Sequence, residues 1–220
     1  MAEETILTEH QQKLLQVIST DETISKFFYL TGGTALAEFY LHHRLSEDLD
    51  FFSETEFEPQ SVYTFLKSIQ KKTGIRKIVF EQSFNRNLFF VHLPREIIKT
   101  EFTYFPFPRI EKKKKINKLA IDSLLDIAVN KIFTIYQQPR SRDFIDVYCI
   151  LQKKPYAIRD LIKKAKIKFD WHVDPIQLGS RFLQARTLKD YPRMLTNIDD
   201  TVWQNFFVNE AKKLQHNIFS

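Results

Sequence analysis

The sequence of 220 residues predicts an α+β fold: a mixed, mostly antiparallel sheet with flanking helices, followed by an all-helical C-terminal half. Three observations carry this expectation. The runs "IRKIVFEQ", "RNLFFVHL" and "IIKTEFTYF" are β-branched and aromatic and are separated by "SFN" and "PRE", the pattern of an antiparallel meander. After the "FPFPRIEKKKK" crossing, apolar residues recur at helical spacing to the end, which puts a boundary near residue 118 between units 1–118 and 119–220. An apolar content of 43% is enough to fill a core in each.

The first predicted element is an amphipathic helix over residues 6–19, "ILTEHQQKLLQVIS". "KFFYL" reads as a short aromatic strand that stops at Gly32-Gly33, and "TALAEFYLHH" resumes helical spacing through Leu36, Phe39 and Tyr40. In "EDLDFF", Asp48, Asp50 and Phe52 alternate with Leu49 and Phe51, which predicts a second strand. "PQSVYTFLKSIQKK" follows as a helix, and the meander comes next.

In the C-terminal half, "DSLLDIAVNKIFTIYQQ" opens at Asp122, a good N-cap residue, and stops at Pro139. "SRDFIDVYCILQKK" opens at Ser141 in the same role and is apolar almost all round, which predicts a central, buried helix. Asp143 and Asp146 lie on one stripe of it. Carboxylates there need a cationic or hydrogen-bonding partner, and Lys131, Arg140 and Arg142 are the nearest in sequence.

Composition excludes several function classes. The single cysteine, Cys149, rules out an intramolecular disulfide and a CxxC zinc framework, and its place in an apolar helix suits an inert core thiol. "MAEETILTEH" is too polar for a signal peptide, and no apolar run reaches the ~18 residues of a membrane span, so a soluble cytoplasmic protein is expected. A net charge of +6 and a pI near 9.2 favour polyanionic partners. The basic runs are "EKKKKINK", with Lys118 beyond the lysine cluster, and "LIKKAKIK"; each reads either as a solvated face or as an RNA contact. No G-x-S-x-G supports a serine hydrolase.

Gly32-Gly33 before a helix permits close backbone approach to a ligand, and the helix N-terminus offers N–H groups to a phosphate. Thr34 would cap that helix or bond a phosphate oxygen, although no Walker Lys-Ser/Thr makes this a P-loop. Asp48 and Asp50 as an i, i+2 pair on a strand present two carboxylates about 7 Å apart on one face, with Mg²⁺ as the natural neutralising ion. Pairing with Arg44 or a solvated edge is the alternative. Glu101 would supply a third carboxylate if its strand lies beside that of Asp48, sufficient for two divalent ions, or it is an ordinary outward-facing strand residue. Lys131 would reach a triphosphate or serve a buried aspartate. His42 and His43 are adjacent on a helix and do not converge on a metal, and Asp48-Leu49-Asp50 lacks the ligands and glycine of an EF-hand.

Together, "GGTALAEFYLHHRLSEDLDFF" and "LLDIAVNKIFTIYQQPRSRDFIDVYCIL" resemble the AbiEii/AbiGii-type nucleotidyltransferases, members of the polymerase-β-like superfamily found in abortive-infection and toxin–antitoxin systems. The resemblance covers residues 29–151. It implies a phosphate-binding turn at Gly32, Gly33 and Thr34, a metal pair at Asp48 and Asp50 with Glu101 as a further metal carboxylate, a nucleotide-binding lysine at Lys131, and a catalytic aspartate at Asp146. It further implies Mg²⁺-dependent transfer of a nucleotide from an NTP to an acceptor hydroxyl on RNA, tRNA among the candidates, with an antitoxin encoded nearby. Transfer to a protein or small molecule, and a binding module without turnover, are the rival readings.

Overall fold

The computed structural model describes residues 5–111 and 114–219, with side chains through 214; Lys112 and Lys113 of the lysine run lie outside the described residues. The chain divides into two compact units, Met1–Ser123 and Leu124–Ser220. Among the described residues, no helix is long and apolar enough to cross a membrane.

The first unit opens with α1 (Glu9–Thr20). Its start is set by a capping box: the Thr8 hydroxyl accepts from the Gln11 N–H at 3.2 Å, and the Gln11 side chain accepts from the Thr8 N–H at 2.9 Å. Asp21 then caps a second helix, α2 (Glu22–Phe27), at the Ile24 N–H. This cap pulls Lys26 and Phe27 into a helix, so the strand expected over "KFFYL" shrinks to β1 (Tyr29–Thr31).

Helix α3 (Gly32–Leu36) follows directly and runs into a π-helical turn, Ala37–Leu41, that ends at His42 in the left-handed region (φ 51°). β2 (Leu49–Ser53) comes next, with Leu49 and Phe51 fully buried and Asp50 and Phe52 half-buried on the other face. Asp48 sits just before this strand rather than in it. Helices α4 (Pro59–Ser68) and α5 (Gln70–Thr73) lead to the meander β3 (Lys77–Ser83), β4 (Arg86–His92) and β5 (Ile97–Tyr104).

The segment after the proline-rich crossing, expected to be helical, first forms a hairpin, β6 (Lys114–Ile116) and β7 (Leu119–Ile121), turning at Asn117 with φ 51°. β7 pairs in parallel with β1, so residues 119–123 belong with the sheet. Strand order is β3-β4-β5-β2-β1-β7-β6. The β1/β2, β3/β4, β4/β5 and β6/β7 pairs are antiparallel, while β2/β5 and β1/β7 are parallel, the mixed and mostly antiparallel sheet that the sequence predicts. Beneath it, Phe51 stacks on Phe102 at 4.8 Å between centroids and Phe28 meets Phe102 edge-on at 5.0 Å.

The second unit is helical: α6 (Leu124–Gln137), α7 (Ser141–Lys153), α8 (Ile158–Phe169), α9 (Pro175–Leu183), a 3₁₀ turn (Gln184–Arg186) and α10 (Asp200–Phe219). Its core is aromatic, with Phe144 of α7 against Phe207 of α10 at 4.8 Å and Phe207 against Phe182 of α9 at 5.2 Å. Two capping expectations are corrected. Asp122 is fully buried beside β1, where it accepts from the Thr31 hydroxyl at 2.7 Å, and α6 starts at Leu124. Ser141 is the first residue of α7 rather than its cap; Asp190, distant in sequence, accepts from both the Ser141 N–H (3.0 Å) and hydroxyl (2.8 Å).

Candidate active site

The antiparallel pairing of β1 and β2 sets Thr31 opposite Asp50, so the chain leaving β1 turns beneath the Asp50 side chain. Gly32 makes that turn at φ +75°, and a Cβ placed on it would stand 2.2 Å from Asp50 Oδ2. Glycine is needed there twice, for the left-handed backbone and for the carboxylate above it. A Cβ on Gly33 would stand 2.6 Å from Arg44 Nη2 and 2.9 Å from Ser46 Oγ. The "HHRLSED" segment therefore lies over the second glycine as Asp50 lies over the first.

Thr34 is fully buried, and its hydroxyl donates to the backbone carbonyl of Asp48. That hydroxyl does not cap α3, whose N-cap residue is Thr31; it ties the turn to the residue that begins the acidic segment. The helix between glycines and aspartates is thus hydrogen-bonded at its start to the segment it leads into.

The next strand completes the acidic face. β2 and β5 are parallel with Asp50 directly beside Glu101, so the two side chains emerge on one face. Lys99 and Thr103 share that face of β5, and Arg86 of β4 lies opposite Thr103. Lys99 Nζ is 2.7 Å from Asp48 Oδ2, both side chains about a third exposed. Arg86 grips Glu101 with two bonds, Nε to Oε1 at 2.8 Å and Nη2 to Oε2 at 2.5 Å, while Thr103 donates to Oε1 at 2.8 Å.

These contacts fix the local electrostatics. Burial pushes the Glu101 carboxyl up, but the Arg86 and Thr103 hydrogen bonds and the charges of Arg86 and Lys99 outweigh it, leaving the group below the ordinary carboxylate range. The Arg86 guanidinium is pushed above its usual value, first by its bond to Glu101 against the opposing effect of burial, with Asp50 and Asp48 adding to it. Asp48, Asp50 and Glu101 form a set of hard oxygen donors suited to a divalent ion. Among the described residues, no three acidic, histidine or cysteine side chains converge tightly enough to hold a metal as they stand. The residues that would hold such an ion are Asp48 and Asp50; Glu101 is instead bonded to Arg86 and Thr103.

Lys131 and Asp146 meet in the helical unit. Lys131 Nζ on α6 is 2.9 Å from Asp143 Oδ1 and 2.6 Å from Asp146 Oδ2 on α7, and Arg140 Nε is 2.9 Å from Asp143 Oδ2. Two of the three cations nearest in sequence are therefore the partners these carboxylates need, whereas Arg142 is exposed. Burial pushes the Asp143 carboxyl up, yet Lys131 and Arg140 hold it below its ordinary value.

The description "Nucleotidyl transferase AbiEii toxin, Type IV TA system" is that of a protein family whose pattern matches residues 13–209. The chain belongs to this family. It is accordingly a nucleotidyltransferase, as the glycine turn and carboxylate pair suggest. An Aquifex aeolicus (strain VF5) protein described only as uncharacterized protein aq_aa25 is 32% identical over 163 residues, 73% of this chain and 74% of that protein. Two solved structures share the fold. One, a protein from H. pylori described as a candidate nucleotidyltransferase, has TM-score 0.61 and 18% identity, with 96% of this chain and 97% of that one covered. The other, JHP933 from Helicobacter pylori, has TM-score 0.56 at the same identity and coverage.

Sequence reasoning missed the basic half of the sheet site. Arg86 and Lys99 sit in runs read simply as strands, and nothing local marks them: each becomes significant through the register that sets β4, β5 and β2 side by side. Ser46 and Arg44 were within reach of the sequence, because "HHRLSED" separates the two halves of the motif and needed a role.

Proposed function

We propose that this AbiEii-family nucleotidyltransferase uses the sheet site to transfer a nucleotide from a Mg²⁺-bound NTP to an acceptor hydroxyl on RNA. One observation carries the reading: Asp50 lies so close over Gly32 that even a Cβ there would stand 2.2 Å from its carboxylate, which supports treating the glycine turn and the carboxylates as parts of one site.

The backbone at Gly32 and Gly33 receives the triphosphate, the bare glycine surface allowing the close approach that a side chain would block. Asp48 and Asp50 would hold the metal, with Glu101 as the further carboxylate once Arg86 releases it. A divalent ion held there would offset the phosphate charge and favour in-line attack at the α-phosphate. Lys99 and Arg86, which neutralise the acidic face, supply positive charge toward the departing pyrophosphate. Most of the rate enhancement then comes from positioning and charge. Lys131 and Asp146 remain in the proposal on the family pattern, the geometry adding that each holds the other in place.

Membership of a family described as a type IV toxin supports a toxin role with an antitoxin partner, and the basic composition supports an RNA acceptor. The test is transfer of label from α-labelled NTPs to cellular RNA by purified protein with Mg²⁺. Asp48→Asn with Asp50→Asn is expected to abolish it. Equal labelling by that variant, or label found only on protein or small acceptors, refutes the reading.

A further inference from the structure

Helix α8 divides sharply between two faces. Ile158, Leu161, Ile162, Ala165 and Phe169 are buried, and Lys168 is buried with them, bound to Asp126 at 2.8 Å. Arg159, Lys163 and Ile167 face solvent, with Lys164 and Lys166 half-exposed between them. Ile167 is 81% exposed, an apolar residue in the middle of a lysine run. The second basic run of the sequence therefore presents Arg159, Lys163 and Lys166 along one side of the helix, with the exposed Asp160 beside Lys163 and Lys164.

The end of that helix adds a feature that a merely solvated face does not need. Asp170 adopts the left-handed conformation (φ 46°), and the chain closes a Schellman motif: the Asp170 N–H donates to Ile167 O at 3.4 Å and the Trp171 N–H to Lys166 O at 3.2 Å. Glycine usually takes that position. The motif fixes the backbone of Trp171 against the last basic turn of α8, yet Trp171 is 57% exposed. An exposed indole on backbone fixed at the end of a basic helix supplies, with that helix's cations, the two parts of a single-strand nucleic-acid surface, cations for phosphates and a π-face for a base.

We propose that the outer face of α8 and Trp171 form a docking surface for single-stranded RNA, phosphates lying along Arg159, Lys163 and Lys166 and an unpaired base stacking on Trp171. The proposal rests on RNA as the acceptor of the transfer reaction, but it is tested by binding alone. The chain has two tryptophans, and Trp203 is fully buried, so quenching of tryptophan emission reports on Trp171.

The full-length protein is titrated with oligoadenylate RNA, and binding is followed by tryptophan quenching and by anisotropy of end-labelled RNA. Quenching in the wild type and none in Trp171→Phe are expected, that variant binding only slightly more weakly because Phe still stacks, while Trp171→Ala binds about 10-fold more weakly. The triple variant Arg159→Glu, Lys163→Glu, Lys166→Glu should lower the slope of log affinity against log salt by about 2, at roughly 0.7 per phosphate contact. Circular dichroism matching wild type establishes that the variants are folded. Wild-type quenching in Trp171→Phe, or an unchanged salt slope in the triple variant, overturns the proposal. So does displacement of the RNA by polyglutamate at equal charge concentration, which would assign the surface to an acidic protein. RNA binding as expected without label transfer would refute the transfer reading and leave this surface standing; transfer to RNA with unchanged KM in the triple variant would do the reverse.

Discussion

The two units assemble nearly the same charges in opposite surroundings. On the sheet, Asp48 pairs with Lys99 with 35% and 29% of their side chains exposed. In the helical unit, Lys131 joins Asp143 and Asp146 with exposures of 10%, 2% and 0%. An ion pair open to water is worth little and can exchange a partner for a ligand, whereas one in a low-dielectric interior cannot lose a member without exposing a costly charge. The Asp48–Lys99 pair on the sheet is open to exchange, whereas Glu101 beside it and the whole helical cluster are held in buried pairs.

The largest effect should come from breaking the buried cluster. Lys131→Met removes the ammonium held between the buried Asp143 and Asp146 carboxylates and should cost about 3–5 kcal/mol in urea unfolding. A loss below about 1 kcal/mol would mean that the helical cluster is as exchangeable as the sheet one. Lys131→Arg keeps the charge; a variant that is folded but inactive would assign Lys131 a direct part in nucleotide binding. On the sheet the order of effects reverses. Asp50→Asn should leave stability within about 1 kcal/mol and lower transfer on the order of 10³-fold, read from initial rates of NTP-dependent labelling.

Two glycines make the comparison sharper because one supplies the control for the other. Gly32 and Gly74 both have positive φ (75° and 83°), but a Cβ on Gly74 meets nothing within 4 Å while one on Gly32 runs into Asp50. Both alanine variants should lose roughly 1 kcal/mol from backbone strain. Gly32→Ala alone should also lose transfer, since Asp50 must move. Equal activity of the two variants would separate the turn from the site.

How far the sequence could reach follows the same division. The alternation of Asp48, Asp50 and Phe52 with Leu49 and Phe51 was legible because one buried face enforces period two, and it placed Leu49 and Phe51 in the core. The pairing of Lys131 with the α7 carboxylates was among the alternatives for the same reason: buried charges must find partners, and few were near. The β6/β7 hairpin was hidden in a lysine-rich run because its three-residue strands are fixed by pairing with β1 and not by their own composition. Arg86 was invisible because its partner lies across the β4/β5 register, which no local pattern encodes.

Acid should weaken the helical cluster. The Asp143 carboxyl is held below its ordinary value, so it binds protons more weakly folded than unfolded; the stability it contributes is present above the unfolded carboxylate range and is lost as pH falls through the lower folded value. Unfolding free energy should stay level from pH 7 to about 5 and fall below about 4, with a shallower acid limb in Asp143→Asn. An identical limb in that variant would move the acid sensitivity elsewhere, Glu101 being the next group with a lowered value.

The smallest change tests the sheet side directly. Lys99→Met removes the cation that covers Asp48, and because both groups are about a third exposed the stability cost should be under about 1 kcal/mol. The consequence for binding has the opposite sign to a simple loss. With Lys99 gone, Asp48 loses its bonded positive charge, so Mg²⁺ titrated calorimetrically should bind more tightly, while transfer slows because the pyrophosphate loses a cation. Tighter metal with slower turnover would establish that Lys99 yields Asp48 during the reaction. Weaker metal binding would mean instead that Lys99 positions the carboxylate, and the sheet cluster would then be as fixed as the helical one.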